Sequence, residues 1–274
     1  MSTYQPNLST RQIEEIGRML ASDRLKIVDA IQKPVVPSTS FYSRYVKRCL
    51  DVIVSIVVLS ITLPINLLIA VVTYFDVGSP ILFKQTRTGR DGREFTIIKF
   101  RNMKNTVDSR GELLPPEQRV TEWGKFVRKT SLDELLNFLS ILKGDMSLIG
   151  PRPLPSVYME RYSRRHRSRL AVRPGLECPP RHLGAGVWTW DDQLENDVWY
   201  VENISFKTDC IMLKNLFLFA TDKKSANARA VAKRGSFMGY DLEGTAINDA
   251  QIPKKYIDAV VKQGNSEHED CHES

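Results

Sequence analysis

Asp133 and Glu134 are adjacent carboxylates with cations gathered around them along the chain. Arg128 and Lys129 come just before, Lys99 and Arg101 lie upstream, and Arg152 follows downstream. Side chains of these types suit chemistry at phosphorus. A carboxylate can attack phosphorus as a nucleophile. A carboxylate beside it can hold a divalent metal against phosphate oxygens. Guanidinium and ammonium groups neutralise the charge such a substrate carries. The pair alone has a plainer reading, because Ser131-Leu-Asp133-Glu134 fits a capping box at the start of a helix that Gly144 ends. Acids in a first helical turn gain roughly 0.3–1 kcal/mol from the helix dipole. The surrounding cations shift the balance toward a polyphosphate substrate and a metal. On that reading the helix N-terminus keeps the attacking carboxylate ionised and helps hold phosphoryl oxygens.

Other residues carry weaker signals. Gly150-Pro-Arg152-Pro153 holds an arginine in a stiff backbone, which suits either aiming a guanidinium at phosphate or a structural turn. Residues 156–170 read as a helix dense in Arg161, Arg164, Arg165, Arg167 and Arg169. Its plain reading is a solvated face or a contact with anionic lipid. Trp188, Trp190 and Trp199 fit core or membrane-interface packing better than sugar stacking. Cys49, Cys178, Cys210 and Cys271 form no CxxC pair, so the chain is expected on a reducing, cytosolic side. Cys178 and His182, four residues apart, read as loop packing rather than a metal site.

The elements that must position these groups begin with a membrane segment. Val52 to Phe75 is an uncharged apolar run with Pro64 near its middle. Arg44, Lys47 and Arg48 precede it, and Lys84, Arg87, Arg90 and Arg93 follow it. Short basic segments resist translocation, so a straight span is disfavoured and a segment that enters and leaves on the cytoplasmic face is expected. Residues 9–32 read as an amphipathic helix with a Ser9/Gln12 capping box and a stripe of Ile13, Ile16, Leu20, Ile27 and Ile31. Residues 34–40 read as a linker. Ile81–Thr86 and Glu94–Phe100 read as a hairpin around Thr88-Gly-Arg-Asp-Gly92. Glu122–Lys129 reads as a short helix, residues 145–155 as a loop, and Ser205–Ala220 as an apolar helix. The segment from about Thr221 is charged and ends in an acidic tail expected to be disordered.

Bulk composition sets the outer bounds. With 274 residues, 42 % of them hydrophobic, the chain holds one sizeable domain with appendages and is not polytopic. A net charge of +7 admits nucleic acid, anionic lipid or a phosphorylated substrate. The membrane segment favours the last two, and no nucleic-acid recognition element is found. The first forty residues are polar and no signal peptide is expected.

The ordered motifs together resemble the bacterial sugar transferases, the small monotopic phosphoglycosyl transferases. The matching blocks are Lys47-Arg-Cys-Leu-Asp51, Phe83-Lys-Gln85-x-Arg87-x-Gly89-x-Asp-Gly92, Lys99-Phe-Arg101-x-Met103 and Arg128-Lys-Thr-Ser-Leu-Asp133-Glu134-Leu. They continue with Leu142-Lys-Gly through Gly150-Pro-Arg-Pro153, Arg173-Pro-Gly175, and Asp197-x-x-Tyr200 with Asp209. The resemblance covers about Arg44 to Ala220. It implies transfer of sugar-1-phosphate from a UDP-sugar to a polyprenyl phosphate at the cytoplasmic face of the inner membrane. UMP is released, and the step initiates glycoconjugate or exopolysaccharide assembly. Asp133 would be the nucleophile, forming a phosphosugar intermediate. Glu134 would assist, with Mg²⁺ at the pair, and Lys99, Arg101, Arg128, Arg152 and Asp197 would line the site.

The implied fold is α+β and mainly helical. It has a re-entrant helix-break-helix anchor at 52–75 broken at Pro64, a small β-hairpin and interfacial amphipathic helices at 132–142 and 205–220. The implied division is an N-terminal helical extension and linker at 1–43, the transferase domain at 44–220, and a C-terminal extension at 221–274. Downstream glycosyltransferases or a second copy of the chain are candidate further partners. The chain departs from the family pattern at Leu63 before the proline, at Asn102, Asn137 and Ser140, and most of all at Leu176-Glu-Cys-Pro-Pro-Arg-His182. That last departure motivates the alternative of an inactive, membrane-tethered binder of anionic lipid or polyprenyl phosphate.

Overall fold

The computed structural model describes residues 8–109, 111–181, 189–221 and 234–270. The anchor is helix α2, Lys47–Val77, entered through a π-type turn at Tyr42–Val46. It is long and apolar enough to cross a membrane, and most of its surface faces away from the protein. The helix is continuous, with Pro64 inside it, where an interruption was expected. Local polar side chains occupy that stretch: Thr62 Oγ1 donates to the Val58 carbonyl (2.7 Å) and Asn66 Nδ2 donates to Thr62 Oγ1 (3.2 Å). Side-chain hydroxyls of this kind help a helix tolerate proline in an apolar setting.

Both ends of α2 are fixed to one body. At the start, Asp51 accepts from Ser147 Oγ and from the Leu148 N–H, each at 3.0 Å. Arg48 donates to the carbonyls of Ile141 (2.5 Å) and Leu142 (2.8 Å). At the finish, Asp76 accepts from Thr121 Oγ1 (2.5 Å), and Arg101 donates to the Val77 carbonyl (2.6 Å). The central stretch of α2, from Ile56 to Ile65, leaves Ile56, Val57, Ile61, Leu63 and Ile65 exposed.

The hairpin pairs β1, Leu82–Thr88, with β2, Glu94–Phe100, in antiparallel register. A short helix α3, Pro116–Arg119, and then α4, Glu122–Lys129, follow. The capping box at Ser131 is not formed. Ser131 adopts the left-handed conformation (φ 57°) and makes no side-chain cap, while Leu132–Glu134 close a 3-10 turn. Helix α5 runs only over Asn137–Lys143 and ends, as expected, on a left-handed Gly144. The reason lies with Glu134, whose carboxylate is held by cations instead of reaching back to Ser131. The stretch read as a loop at 145–155 begins with strand β3, Ser147–Ile149, which pairs in parallel with β4, Gly175–Glu177.

Residues 156–170 do not form one arginine-faced helix. They fold as a 3-10 segment Ser156–Arg161, a single turn α6 at Arg164–Arg167, and another 3-10 turn at Ser168–Ala171. Two of the arginines are interior. Arg161 is 1 % exposed, donates to the Phe237 carbonyl (2.6 Å) and packs over the Tyr158 ring. Arg169 is 3 % exposed and paired to Asp197. Helix α7, Trp190–Glu202, buries Trp190, Leu194, Val198 and Tyr200. Helix α8, Phe206–Thr221, keeps Phe206, Ile211, Leu213 and Phe217 exposed. His182, Trp188 and residues 222–233 lie outside the described residues.

The two ends of the chain fold together. Helix α1, Thr10–Ile31, has the expected Ser9/Gln12 capping box. Its buried face is Ile16, Gly17, Leu20, Arg24 and Val28, whereas Ile27 and Ile31 of the expected stripe are exposed. It packs on a hairpin of β5, Phe237–Tyr240, and β6, Ala246–Asn248, and on a last helix α9, Lys254–Asp270. The extensions expected at 1–43 and 221–274 pack against the segment between them, where Val28, Phe237 and Tyr240 share a core with Leu154, Tyr162, Trp190 and Leu194. Gly17 permits this approach, since a Cβ there would land on the Arg161 guanidinium.

Candidate active site

Asp133 is held in the 3-10 turn between α4 and α5 and is 6 % exposed. Burial pushes its carboxyl above the usual carboxylate range, and the charge of Glu134 adds to the rise. Lys99 and Arg128 pull it partly back. The helix-dipole argument from the sequence therefore does not set its ionisation. Asn102 Nδ2 approaches Asp133 Oδ2 at 3.4 Å.

Glu134 is the electrostatic centre of the site. Its Oε1 accepts from Lys99 Nζ at 2.5 Å and from Arg152 Nη2 at 3.2 Å. Burial alone would raise its pKa, but Arg152 and Lys99 outweigh burial and hold it below the ordinary value. Lys99 comes from β2. The antiparallel register sets Phe83 opposite Lys99 and Arg87 opposite Phe95, so Arg87 and Lys99 share one face of the hairpin. Arg87 Nη2 donates to Gln85 Oε1 (2.6 Å), and its Nε is buried without a hydrogen-bond partner. Burial lowers the pKa of Arg87, and the nearby charge of Arg152 lowers it further.

Arg152 reaches the site because the β3–β4 pair fixes the loop that carries it. The Gly175 N–H donates to the Pro151 carbonyl (3.0 Å) and the Gly150 N–H to the Glu177 carbonyl (3.3 Å). A Cβ on Gly175 would collide with the Gly150 backbone, so both glycines are required for this approach. Arg152 Nη1 then meets Glu177 Oε2 (3.1 Å) and the Leu176 carbonyl (3.3 Å).

Of the seven residues singled out, five gather here: Asp133 and Glu134 with Lys99, Arg128 and Arg152. Arg101 does not. Its guanidinium donates to the Val77 carbonyl, an acceptor left open at the end of α2, and to the carbonyls of Pro80 and Met103. Asp197 does not either. It is fully buried, and its Oδ2 accepts from Arg169 Nε (3.0 Å) and Nη2 (2.8 Å). Arg169 Nη2 also donates to the Arg152 carbonyl (2.8 Å), so Asp197 supports the loop from behind. Arg87, Asn102 and Glu177 were missed as site residues. The period of two along β1 could have flagged Arg87. The departure at 176–182 includes Glu177 without singling it out, and β4 is only three residues long.

A buried carboxylate beside a second carboxylate, with guanidinium and ammonium groups around them, forms a site whose chemistry suits an anionic ligand. Residues 42–221 match the family model for bacterial sugar transferases, and the chain belongs to that family. It is 42 % identical over 167 residues to the uncharacterized sugar transferase EpsL of Bacillus subtilis, covering 61 % of this chain and 83 % of that protein. It is 35 % identical over 188 residues to the undecaprenyl-phosphate galactose phosphotransferase of Salmonella typhimurium, covering 62 % of this chain and 39 % of the relative. It is also 35 % identical over 152 residues to the UDP-glucose:undecaprenyl-phosphate glucose-1-phosphate transferase of Escherichia coli, covering 52 % of this chain and 33 % of the relative. The chain thus spans well under half the length of these two named transferases.

Proposed function

We propose that this protein transfers a sugar-1-phosphate from a UDP-sugar to a polyprenyl phosphate at the cytoplasmic membrane face. The observation that carries the reading is the Asp133–Glu134 pair set among Lys99, Arg128 and Arg152. The names of the relatives support it, since two of them act on undecaprenyl phosphate. In the first step an Asp133 carboxylate oxygen attacks the phosphorus that bears the sugar. The bond to the second phosphate breaks, and UMP leaves with the electron pair. In the second step an oxygen of the polyprenyl phosphate attacks the aspartyl phosphate, which gives the lipid-linked product and restores the carboxylate. Lys99 and Arg152 hold Glu134 ionised and in place, and Arg87 and Arg128 add charge for the diphosphate.

A magnesium ion fits the donor set in one way. Among the described residues no cluster of three or more metal-ligating side chains occurs. Magnesium usually takes one or two carboxylates and completes its shell with water and substrate phosphates. Asp133 and the Oε2 of Glu134 would be those carboxylates, since both cations on Glu134 bond Oε1. When bound there it would neutralise charge on the leaving phosphate.

The anchor serves the same reading. Asp51 is fixed by Ser147 and Leu148, next to Met146, and Val77 is held by Arg101, just past Ile97. Met146 and Ile97 belong to one small core. A straight helix from Asp51 to Val77 would be about 39 Å long. On this reading a bend at Pro64 would return the helix to the same body and keep both ends on the cytoplasmic side.

The test is to mix the purified chain, in detergent or nanodiscs, with a panel of UDP-sugars, polyprenyl phosphate and Mg²⁺, and to measure UMP. The expected result is UMP release with at least one sugar, abolished by Asp133→Asn in a protein that remains folded. Binding of polyprenyl phosphate with no UMP from any sugar would instead support the non-catalytic alternative. Normal turnover by Asp133→Asn would remove Asp133 from its role.

A further inference from the structure

Arg152 is held between two carboxylates, and the two grips differ. Glu134 is shared with Lys99, so its position survives without Arg152. Glu177 meets Arg152 through Oε2 alone, and its Oε1 accepts from the Cys178 N–H at 3.2 Å. Both partners of the second pair are partly open to solvent, with side chains 40 % and 30 % exposed. Pairs of that exposure are individually weak. A diphosphate brings more negative charge than one carboxylate, and its oxygens match the planar guanidinium fork.

We propose that Glu177 is a latch on Arg152. Without substrate it occupies the guanidinium edge that a phosphate would use, and an incoming diphosphate displaces it. Glu177 stays tethered by its own Oε1 contact to the Cys178 N–H, ready to return. An incoming diphosphate offers oxygens on two phosphates against the single contact of Glu177, whereas the monophosphate left after transfer offers one phosphate. The proposal rests on the nucleotide-sugar reading of this site and names a residue that controls it.

Equilibrium titration of UDP into the full-length chain in detergent tests both layers separately. Glu177→Gln keeps size and the Oε1 contact but removes the charge. It is expected to bind UDP about threefold to fivefold more tightly than wild type, the worth of one partly exposed ion pair. Its UMP affinity should rise as well. In an Arg152→Gln background the same substitution should change nothing, because the effect passes through Arg152. Equal or weaker UDP binding by Glu177→Gln overturns the latch, as does loss of folding, which would make Glu177 a structural brace. A gain that persists without Arg152 overturns it too, since Glu177 would then repel nucleotide directly. Absence of UDP binding by wild type overturns the nucleotide reading, and the latch falls with it.

Discussion

Replacing Tyr240 by Phe isolates what joins the chain ends to the transferase segment. Tyr240 is 1 % exposed, and its hydroxyl lies 3.1 Å from the Ser163 N–H and 2.9 Å from His166 Nδ1. The donors can be assigned from the partners. Burial would raise the pKa of Glu195, but hydrogen bonds from Arg165 and His166 win and pull it down to about 2. Glu195 is therefore ionised and only accepts, so His166 Nε2, 2.9 Å away, carries the proton. In the neutral ring Nδ1 is then an acceptor for the Tyr240 O–H, while the Tyr240 oxygen accepts from Ser163. Tyr240→Phe removes one oxygen and leaves little cavity. It orphans a donor and an acceptor on residues that are fully buried. A buried orphaned group costs about 1–3 kcal/mol, so the pair should cost about 2–6 kcal/mol. Equilibrium denaturation of wild type and variant in the same detergent measures it. Because Tyr240 touches none of the site residues, transfer by the folded variant should stay near wild type. A loss below about 0.5 kcal/mol would refute the assignment, since an exposed hydroxyl contributes on that scale.

Two further outcomes follow from the site and the anchor. On the proposed mechanism attack by Asp133 needs its ionised form, and its pKa lies above the ordinary 3.8 because of burial and Glu134. Folding therefore favours the protonated carboxyl, and kcat/KM should rise with pH along a limb displaced above that value. A limb at or below 3.8 would contradict the geometry. For the anchor, single cysteines at Lys33 and Lys104 in a background freed of native cysteines should both resist an impermeant thiol reagent in intact cells. Labelling of either one would restore a plain single span.

The parts of the fold legible in the sequence are those where local chemistry decides. Ser9 and Gln12 cap α1 as their spacing requires, Gly144 ends α5, and the alternation in 94–100 gives β2 with its expected limits. The failures occur where a distant partner overrides a local preference. Ser131-x-x-Glu134 has the letters of a capping box, yet Lys99 and Arg152 compete for the same carboxylate and win, because ion pairs outbid a backbone N–H. The arginines of 156–170 were read as a surface, since no local signal shows that Phe237 and Asp197 lie behind them. Terminal segments more than two hundred residues apart in sequence meet through Arg24, which donates to the Tyr240 carbonyl (2.5 Å). Periodicity cannot reveal such a contact.

The division of labour among the cations follows the same logic. Arg152, Lys99, Arg128, Arg101, Arg161 and Arg169 are alike in sequence, being basic residues near turns. Burial and partner separate them. Arg161 and Arg169 are nearly inaccessible, and a buried guanidinium persists only with fixed acceptors, so each is committed to structure. Arg101 is committed to the carbonyls that end the anchor. Arg152 is partly exposed and paired to carboxylates that a phosphate can replace, which leaves it free to exchange partners. The two groups touch at one point, where Arg169 holds the Arg152 carbonyl and Asp197 holds Arg169. Asp197 therefore reaches Arg152 through Arg169. Its loss should disturb the aim of Arg152 and not the ionisation of Asp133.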